Sequence, residues 1–144
     1  MRIYLDNCCY NRPYDAQTQF KISMETRAKL YIQDQIRVKK YELADSFMLE
    51  FENSFNPNII SRAAIQEFRE KYRTVFVPIE RREQLQSKID EIMLTGVKYK
   101  DAVHVACAVY AHCIYFITTD TRLLKYKSSV IKLINPINFT QLEE

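Results

Sequence analysis

The fold class is decided by residues 101–120, which read DAVHVACAVYAHCIYFITTD. Asp101 is followed by ten residues that are apolar nearly all round a helix, which predicts a buried helix over 101–111. The apolar run at 114–118 predicts a strand, and Thr119 and Asp120 follow its end. A buried helix next to an apolar strand is typical of a parallel sheet that is covered on both faces.

The rest of the chain continues this alternation. The apolar run at 3–5 predicts a buried strand whose carboxyl end is marked by Asp6, and Asn11-Arg12-Pro13 predicts a loop. Ser46 is placed to cap a helix that contains Glu52. Strands are predicted at 3–5, 41–45, 74–77, 114–118 and 130–134, and helices at 18–39, 47–52, 60–72, 80–94 and 101–111. We therefore predict one α/β domain over 1–144, with a three-layer α/β/α architecture and a central parallel sheet of four to five strands.

The longest predicted helix, 18–39, contains neither proline nor glycine. Its inward face is predicted to carry Phe20, Met24, Ala28, Tyr31 and Gln35, with Leu30 and Ile32 on the flanks. The side chains of Leu30, Tyr31, Ile32 and Ile36 present more apolar surface than one sheet face readily covers. Because an exposed apolar patch usually marks an interface, we expect a homodimer.

The composition excludes several classes of protein. The only glycine is Gly96, so a glycine-rich phosphate loop or dinucleotide fingerprint is absent. The net charge of +3 permits a nucleic-acid partner without requiring one. Cys8, Cys9, Cys107 and Cys113 form no Cys-x-x-Cys pair, which favours reduced thiols. Asp6 interrupts the amino terminus before a signal-peptide core forms, and no apolar stretch approaches a membrane span, so we expect a cytoplasmic protein.

Four carboxylates are predicted to share the carboxyl edge of the sheet. Asp6 and Asp120 follow strands, Asp101 begins a helix, and Glu52 lies in the second turn of a helix that directly follows a strand. Each acid alone also has a structural interpretation, as a turn residue, a helix-dipole partner or an exposed glutamate. Gathered on one edge, however, they repel one another unless cations bind there. The set therefore predicts a Mg²⁺ or Mn²⁺ site with oxygen ligands.

Glu50 competes with Glu52 for this position. The two glutamates lie about 200° apart on a helix of 3.6 residues per turn, so only one of them can reach the edge. We assign Glu52 to the site.

The segments that carry these acids resemble the acidic motifs of PIN domains. They are the run 3–5 with Asp6, Ser46-x5-Glu52, Lys100-Asp101-Ala102-x-His104-x-Ala106, and residues 116–120. Many PIN domains are the ribonuclease toxins of VapC-type toxin–antitoxin pairs. The resemblance covers nearly the whole chain, although Asp6-Asn7-Cys8-Cys9 departs from the usual aspartate followed by a small hydroxyl residue.

The resemblance implies a three-layer PIN-like fold and a metal-dependent endoribonuclease acting on single-stranded RNA. It implies that Asp6, Asp101 and Asp120 hold Mg²⁺ or Mn²⁺, and that Glu52 holds a second ion or orients the attacking water. The products would carry a 5′-phosphate and a 3′-hydroxyl. An antitoxin protein and a second copy of the chain are the implied partners.

Further side chains near the predicted edge have two interpretations each. Asn7, Arg12 and Thr119 are candidates for substrate binding. The alternative for Asn7 is a turn residue, and for Arg12 it is a surface ion pair. Of Thr118 and Thr119, one hydroxyl is expected to support the site while the other faces away. His104 is expected to be a hydrogen-bonded core histidine rather than a metal ligand. Three tyrosines have two interpretations each, stacking on RNA bases or packing in a core or interface. They are Tyr4, Tyr10 and Tyr14.

Two other functions compete with the nuclease. A PIN fold kept as a non-catalytic protein- or RNA-binding scaffold has no need of four intact acids. A phosphoacceptor receiver domain also clusters aspartates on a parallel sheet. It needs an aspartate after the third strand and a lysine after the last, where this chain has Pro78 and Asn135.

Overall fold

The protein, described by a computed structural model over residues 1–142, is built on one parallel sheet of five strands. The strands are β1 (Arg2–Leu5), β2 (Glu42–Ser46), β3 (Arg73–Val77), β4 (Tyr115–Ile117) and β5 (Lys132–Ile134). They lie in the order β3-β2-β1-β4-β5, and every neighbouring pair is parallel. Receiver domains have the order 2-1-3-4-5 instead. The predicted parallel sheet is confirmed, and the receiver fold is excluded.

Helices connect the strands and cover the sheet. They are α1 (Asn7–Asn11), α2 (Phe20–Arg37), α3 (Phe47–Ser54), α4 (Ile59–Tyr72), α5 (Arg82–Met93), α6 (Tyr99–Tyr110) and α7 (Pro136–Gln141). The chain runs outward from β1 to β3 on one side of the sheet and then from β4 to β5 on the other side. Right-handed crossovers therefore put α2 and α4 on one face and α5 and α6 on the other. Contacts between α2 and α7 and between α5 and α6 agree with this division. The result is the predicted three-layer α/β/α architecture.

The core is concentrated on β1 and α6. Ile3, Tyr4 and Leu5 have no exposed surface, and residues 102–108 of α6 are all buried. The helix begins at Tyr99, two residues before the predicted start, so Asp101 lies inside its first turn. All four cysteines are unpaired, as predicted, and only Cys8 is partly exposed.

Of the residues predicted for the inward face of α2, only Ala28 is buried. The buried residues of this helix are Glu25, Ala28, Lys29, Ile32 and Ile36, whereas the side chain of Phe20 is 80% exposed. A pattern of apolar residues cannot reveal this face, because two of its members are charged. Glu25 is buried because it accepts hydrogen bonds from the side chains of Arg12 and Asn135.

Two short helices were not predicted. Asp6 caps α1, and Asn135 caps α7, which has Pro136 at its first position. A side-chain cap followed by proline is a recognisable start signal, so α7 could have been found from the sequence. Within residues 1–142, no helix has the length and apolar character needed to cross a lipid bilayer.

Candidate functional site

The candidate site lies where the strand order reverses, between the carboxyl ends of β1 and β4. Asp6 follows β1, and its backbone N–H donates to the carbonyl of Ile117, 2.9 Å away at the end of β4. Open α/β sheets bind ligands in the crevice outside the strand ends at such a point. The topology therefore brings residues 6 and 118–120 together although they are distant in sequence.

Asp6 is held in a fixed orientation. Its Oδ1 accepts the backbone N–H of Asn7 at 2.8 Å, which caps α1, and its Oδ2 accepts the hydroxyl of Thr118 at 2.8 Å. The Cys8 thiol lies 3.5 Å from the same Oδ2. Only 6% of Asp6 is exposed, so the carboxylate faces the crevice from a nearly buried position.

Asp101 lies in the first turn of α6. Burial raises the pKa of Asp101, and the negative charges of Asp6, Asp120 and Glu52 raise it further. The charge of His104 acts in the opposite direction. Asp101 is therefore repelled by each of the other three acids.

Asp120 is more exposed than the other acids. Its Oδ1 accepts the backbone N–H groups of Arg122 and Leu123 at 2.9 and 3.2 Å, which begins the short helical turn Leu123–Lys125. The N–H of Asp120 donates to the Thr118 hydroxyl at 3.1 Å. Thr118 thus connects Asp6 to Asp120.

Glu52 is tied to its neighbours through both carboxylate oxygens. Oε1 is hydrogen-bonded to Nε2 of His104, and Oε2 accepts from Nδ2 of Asn7 at 3.4 Å. Burial alone would raise the pKa of Glu52, but the hydrogen bond and charge of His104 lower it overall. Glu50 is exposed and faces a groove beside Phe47 and Phe51. Of the two glutamates, Glu52 lies near the other acids.

A buried chain of hydrogen bonds supports Glu52. His104 is 1% exposed, and its Nδ1 lies 2.6 Å from the hydroxyl of Tyr4, which lies 2.7 Å from the hydroxyl of Ser46. Ser46 caps α3 by accepting the N–H of Leu49 at 3.3 Å. His104 is thus the hydrogen-bonded core histidine that we expected, and it also orients the site glutamate. The predicted helix cap at Ser46 is confirmed, whereas the hydrogen bonds from Tyr4 to His104 and Ser46 were not predicted.

The expected substrate-binding residues have different environments. Asn7 contacts Glu52, and its Oδ1 is buried without a hydrogen-bond partner among residues 1–142. The guanidinium of Arg12 is instead engaged by Glu25 at 3.0 Å and Asp15 at 2.8 Å. Thr119 is buried and donates its backbone N–H to Cys8, whereas the hydroxyl of Thr118 supports Asp6.

The three tyrosines divide between core and surface. Tyr4 and Tyr10 have no exposed surface, so packing in the core is the correct interpretation for both. Tyr14 is 50% exposed.

The donor set suits a hard cation, although no ligand cluster is assembled in advance. No three His, Cys, Asp or Glu side chains in the described part of the chain are grouped closely enough to hold a metal. The available donors are carboxylate oxygens, which Mg²⁺ and Mn²⁺ prefer. The unpartnered Oδ1 of Asn7 beside Glu52 is one more free acceptor. Their chemistry and mutual repulsion fit a divalent cation.

A basic groove of about 410 Å³ begins at Asp101. Four cationic side chains line it, Lys98, Arg122, Lys125 and Lys127. None of them pairs with a carboxylate within residues 1–142. Sequence reasoning missed this groove, because the modest net charge hides a local concentration of cations.

Comparison with known proteins shows the fold. No protein-family model matches the sequence, and no curated protein is similar to it in sequence. A chain in the crystal structure of FitAcB from Neisseria gonorrhoeae is similar, with a TM-score of 0.60 and 16% identity over 93% of this chain and 97% of that one. So is a chain of VapBC2 from Rickettsia felis bound to a DNA fragment from their promoter, with a TM-score of 0.57 and 12% identity over 94% and 98%. The chain thus has the PIN-like fold that its acidic motifs implied, over nearly its whole length.

Proposed function

We propose that the protein is a metal-dependent endoribonuclease that hydrolyses phosphodiester bonds of single-stranded RNA. The observation that supports the proposal is the distribution of charge where the strand order reverses: Asp101, which is repelled by Asp6 and Asp120, lines a groove with four cations that have no carboxylate partner within residues 1–142. Acids that repel one another suit a divalent cation, and unpaired cations suit a phosphate backbone.

Each residue of the site has a defined part. Asp6, Asp101 and Asp120 hold Mg²⁺ or Mn²⁺, which when bound activates water and neutralises charge on the phosphate. Thr118 and the amino end of α1 keep Asp6 oriented. Glu52 orients the attacking water or holds a second ion. His104 keeps Glu52 in place and is itself fixed by Tyr4.

The groove accounts for substrate binding in this proposal. Lys98, Arg122 and Lys125 contact RNA phosphates on one side of the cleaved bond, and Asn7 lies next to the reacting groups. Arg12 has no place there, because Glu25 and Asp15 already engage it. We expect RNA binding to weaken steeply as salt rises, since phosphate contacts release counterions.

A toxin–antitoxin role is part of the proposal. The acidic motifs resemble those of VapC-type toxins, and one of the similar chains of known structure belongs to VapBC2. We infer that a small antitoxin protein binds this chain and blocks the crevice. Co-expression with the product of a short neighbouring reading frame should give a stable complex without nuclease activity; an active complex would contradict this role.

The proposed activity is tested with the purified protein and a labelled single-stranded RNA. We expect cleavage with Mn²⁺ or Mg²⁺, none with EDTA, and 5′-phosphate ends on the products. Asp101→Asn should abolish cleavage, whereas Glu50→Gln, a change on the other side of α3, should retain it. RNA that binds but is never cut with either metal would favour a non-catalytic scaffold.

A further inference from the structure

Lys29 on α2 is a buried cation without a carboxylate partner. It is 5% exposed, and no acidic side chain within residues 1–142 forms an ion pair with it. Its amine donates to the amide oxygen of Gln33 and lies 5.5 and 5.7 Å from the ring centres of Tyr10 and Phe68. Lysine is rarely buried without a partner, because its ammonium group loses hydration.

Other buried charges on the same side of the sheet are paired. Glu25 binds Arg12 at 3.0 Å, and Asp45 binds Arg69 at 3.2 Å. On this side of the sheet Lys29 therefore differs from these buried charges, because no carboxylate within residues 1–142 neutralises it. An anionic ligand would supply the missing charge.

Lys29 lines a cleft of about 380 Å³ between α2 and α4. Lys71 and Arg37 also line it, with one carboxylate, Glu67, and Arg37 is already paired with Asp34 at 2.7 Å. Lys29 and Lys71 have no carboxylate partner within residues 1–142, and these two charges suit a phosphomonoester, which carries about −1.5 to −2 near neutral pH. The volume lies within the ordinary range for small-molecule sites, about 300–1,000 Å³.

Two tyrosines add to the cleft. The hydroxyl of Tyr10, which also lines it, is buried and has no hydrogen-bond partner among residues 1–142. An unpaired buried hydroxyl is costly unless a ligand or water satisfies it. Tyr14 lies on the cleft wall and is 50% exposed, so its ring offers a face on which a base can stack.

We propose that the cleft between α2 and α4 binds a phosphomonoester, either of a free nucleotide or of the 5′ end of a nucleic-acid strand. The amine of Lys29 contacts the phosphate oxygens, Lys71 balances the remaining charge, and Tyr14 stacks on the base. The acids of the crevice take no part, so this site stands or falls independently of the nuclease activity.

Calorimetric titration of the full chain tests the proposal. The probes are inorganic phosphate, adenosine 5′-monophosphate, and one short RNA with a 5′-phosphate or a 5′-hydroxyl, all with EDTA so that no cleavage occurs. We expect saturable binding of the phosphate-bearing probes and weaker binding of the 5′-hydroxyl RNA. Because RNA also binds the basic groove in our proposal, the two ligands are compared by the affinity that each loses in Lys29→Met. A larger loss for the mononucleotide identifies a free nucleotide as the ligand, and a larger loss for the 5′-phosphate RNA identifies a strand end.

Three variants complete the test. Lys29→Met removes the charge but keeps the length of the side chain, and it should weaken binding about tenfold or more. Lys71→Met, at an exposed position of the cleft, should weaken binding several-fold, and Lys132→Met, exposed on β5, should leave it unchanged. The proposal is overturned if Lys29→Met binds like the wild type, if Lys132→Met weakens binding equally, or if no phosphate probe binds saturably at millimolar concentration.

Discussion

Lys29 lowers the stability of the folded protein at neutral pH. Burial lowers the pKa of Lys29 from 10.5 to about 8. Between these two values the unfolded chain binds more protons than the folded one, so the free energy of unfolding rises as pH increases through this window. At pH 7 both states are protonated, and the buried charge costs up to about 3 kcal/mol.

We therefore predict that Lys29→Met stabilises the protein at pH 7, by about 1–3 kcal/mol. The difference from the wild type should shrink between pH 8 and pH 10 as the amine of Lys29 loses its proton in the folded state. Urea unfolding of both proteins at several pH values measures this difference. A destabilised Lys29→Met at pH 7 would show that the ammonium group has a favourable partner.

Asp101 is expected to be essential for cleavage although it is unfavourable for the metal-free fold. Asp101→Asn should reduce cleavage at least about 100-fold, the scale at which a single charge-stabilising group acts. It should also raise the melting temperature slightly in EDTA, because repulsion from Asp6 and Asp120 disappears. Asp6→Asn should be equally inactive, but it also disturbs the cap of α1. Full activity in either variant would refute the proposed metal site.

Glu52 and Glu50 form a matched pair of substitutions on one helix. Glu52→Gln should impair cleavage strongly, because only Glu52 is linked to His104 and Asn7. Glu50→Gln should have little effect, since Glu50 faces the groove beside Phe51. Initial rates with saturating Mn²⁺ compare the two, and the opposite ranking would exclude our assignment.

The hydroxyl of Tyr4 on β1 forms the hydrogen bond to His104 on α6. Tyr4→Phe removes the hydrogen bonds to His104 and Ser46 and leaves both polar groups buried. We predict a loss of stability of about 1–3 kcal/mol and a several-fold loss of turnover, because His104 no longer holds Glu52 firmly. Tyr110→Phe, at an exposed position of the same α6, is the control for denaturant melts and rates. Unchanged turnover in Tyr4→Phe would rule out a positioning role for the chain of hydrogen bonds.

Helix prediction from the sequence succeeded where burial is governed by apolar side chains alone. The nearly uniform apolar surface of α6 predicted a buried helix, and all residues at 102–108 are buried. The same reasoning failed for α2, since Glu25 and Lys29 point inward. Their environment depends on Arg12, Asn135 and Gln33, which lie on other elements or a turn away. Periodicity within one helix contains no information about such partners.

The placement of the site acids was largely predictable, and the choice among their neighbours was not. Strand ends and helix starts put Asp6, Glu52, Asp101 and Asp120 on one edge in any parallel sheet of this kind. The choice between Thr118 and Thr119 depends on the twist and end of β4, and the hydroxyl that reaches Asp6 is that of Thr118. Likewise, the ion pair between Arg12 and Glu25 arises only when α2 packs beside α1, whereas Asp15 is a local partner of Arg12.

The predicted surface for a homodimer needs correction. Ile32 and Ile36 are 0% and 3% exposed, so they belong to the core, and only Leu30 and Tyr31 of the expected patch remain at the surface. An apolar groove of about 650 Å³ lies elsewhere, between α3, α5 and the start of α6. Among the residues that line it, Phe51, Ile79 and Tyr99 are each about half exposed.

We propose that two copies associate through this groove. Sedimentation equilibrium at micromolar concentration should give about twice the chain mass of 17.2 kDa. Ile79→Glu should shift the mass toward that of a monomer, whereas Leu30→Glu should leave the dimer intact. A wild-type mass near 17.2 kDa would show that the protein is a monomer under these conditions.

The central position of β1 has a consequence for synthesis in the cell. β1 pairs with β2 on one side and with β4 on the other, so its second edge stays open until residues 115–117 have been made. A ribosome that has released only the first hundred residues has therefore produced three strands and no complete crevice. Chains cut short before β4 would lack the crevice and be prone to aggregate through that open edge. The nuclease activity proposed above would therefore arise only when translation of the chain is nearly finished.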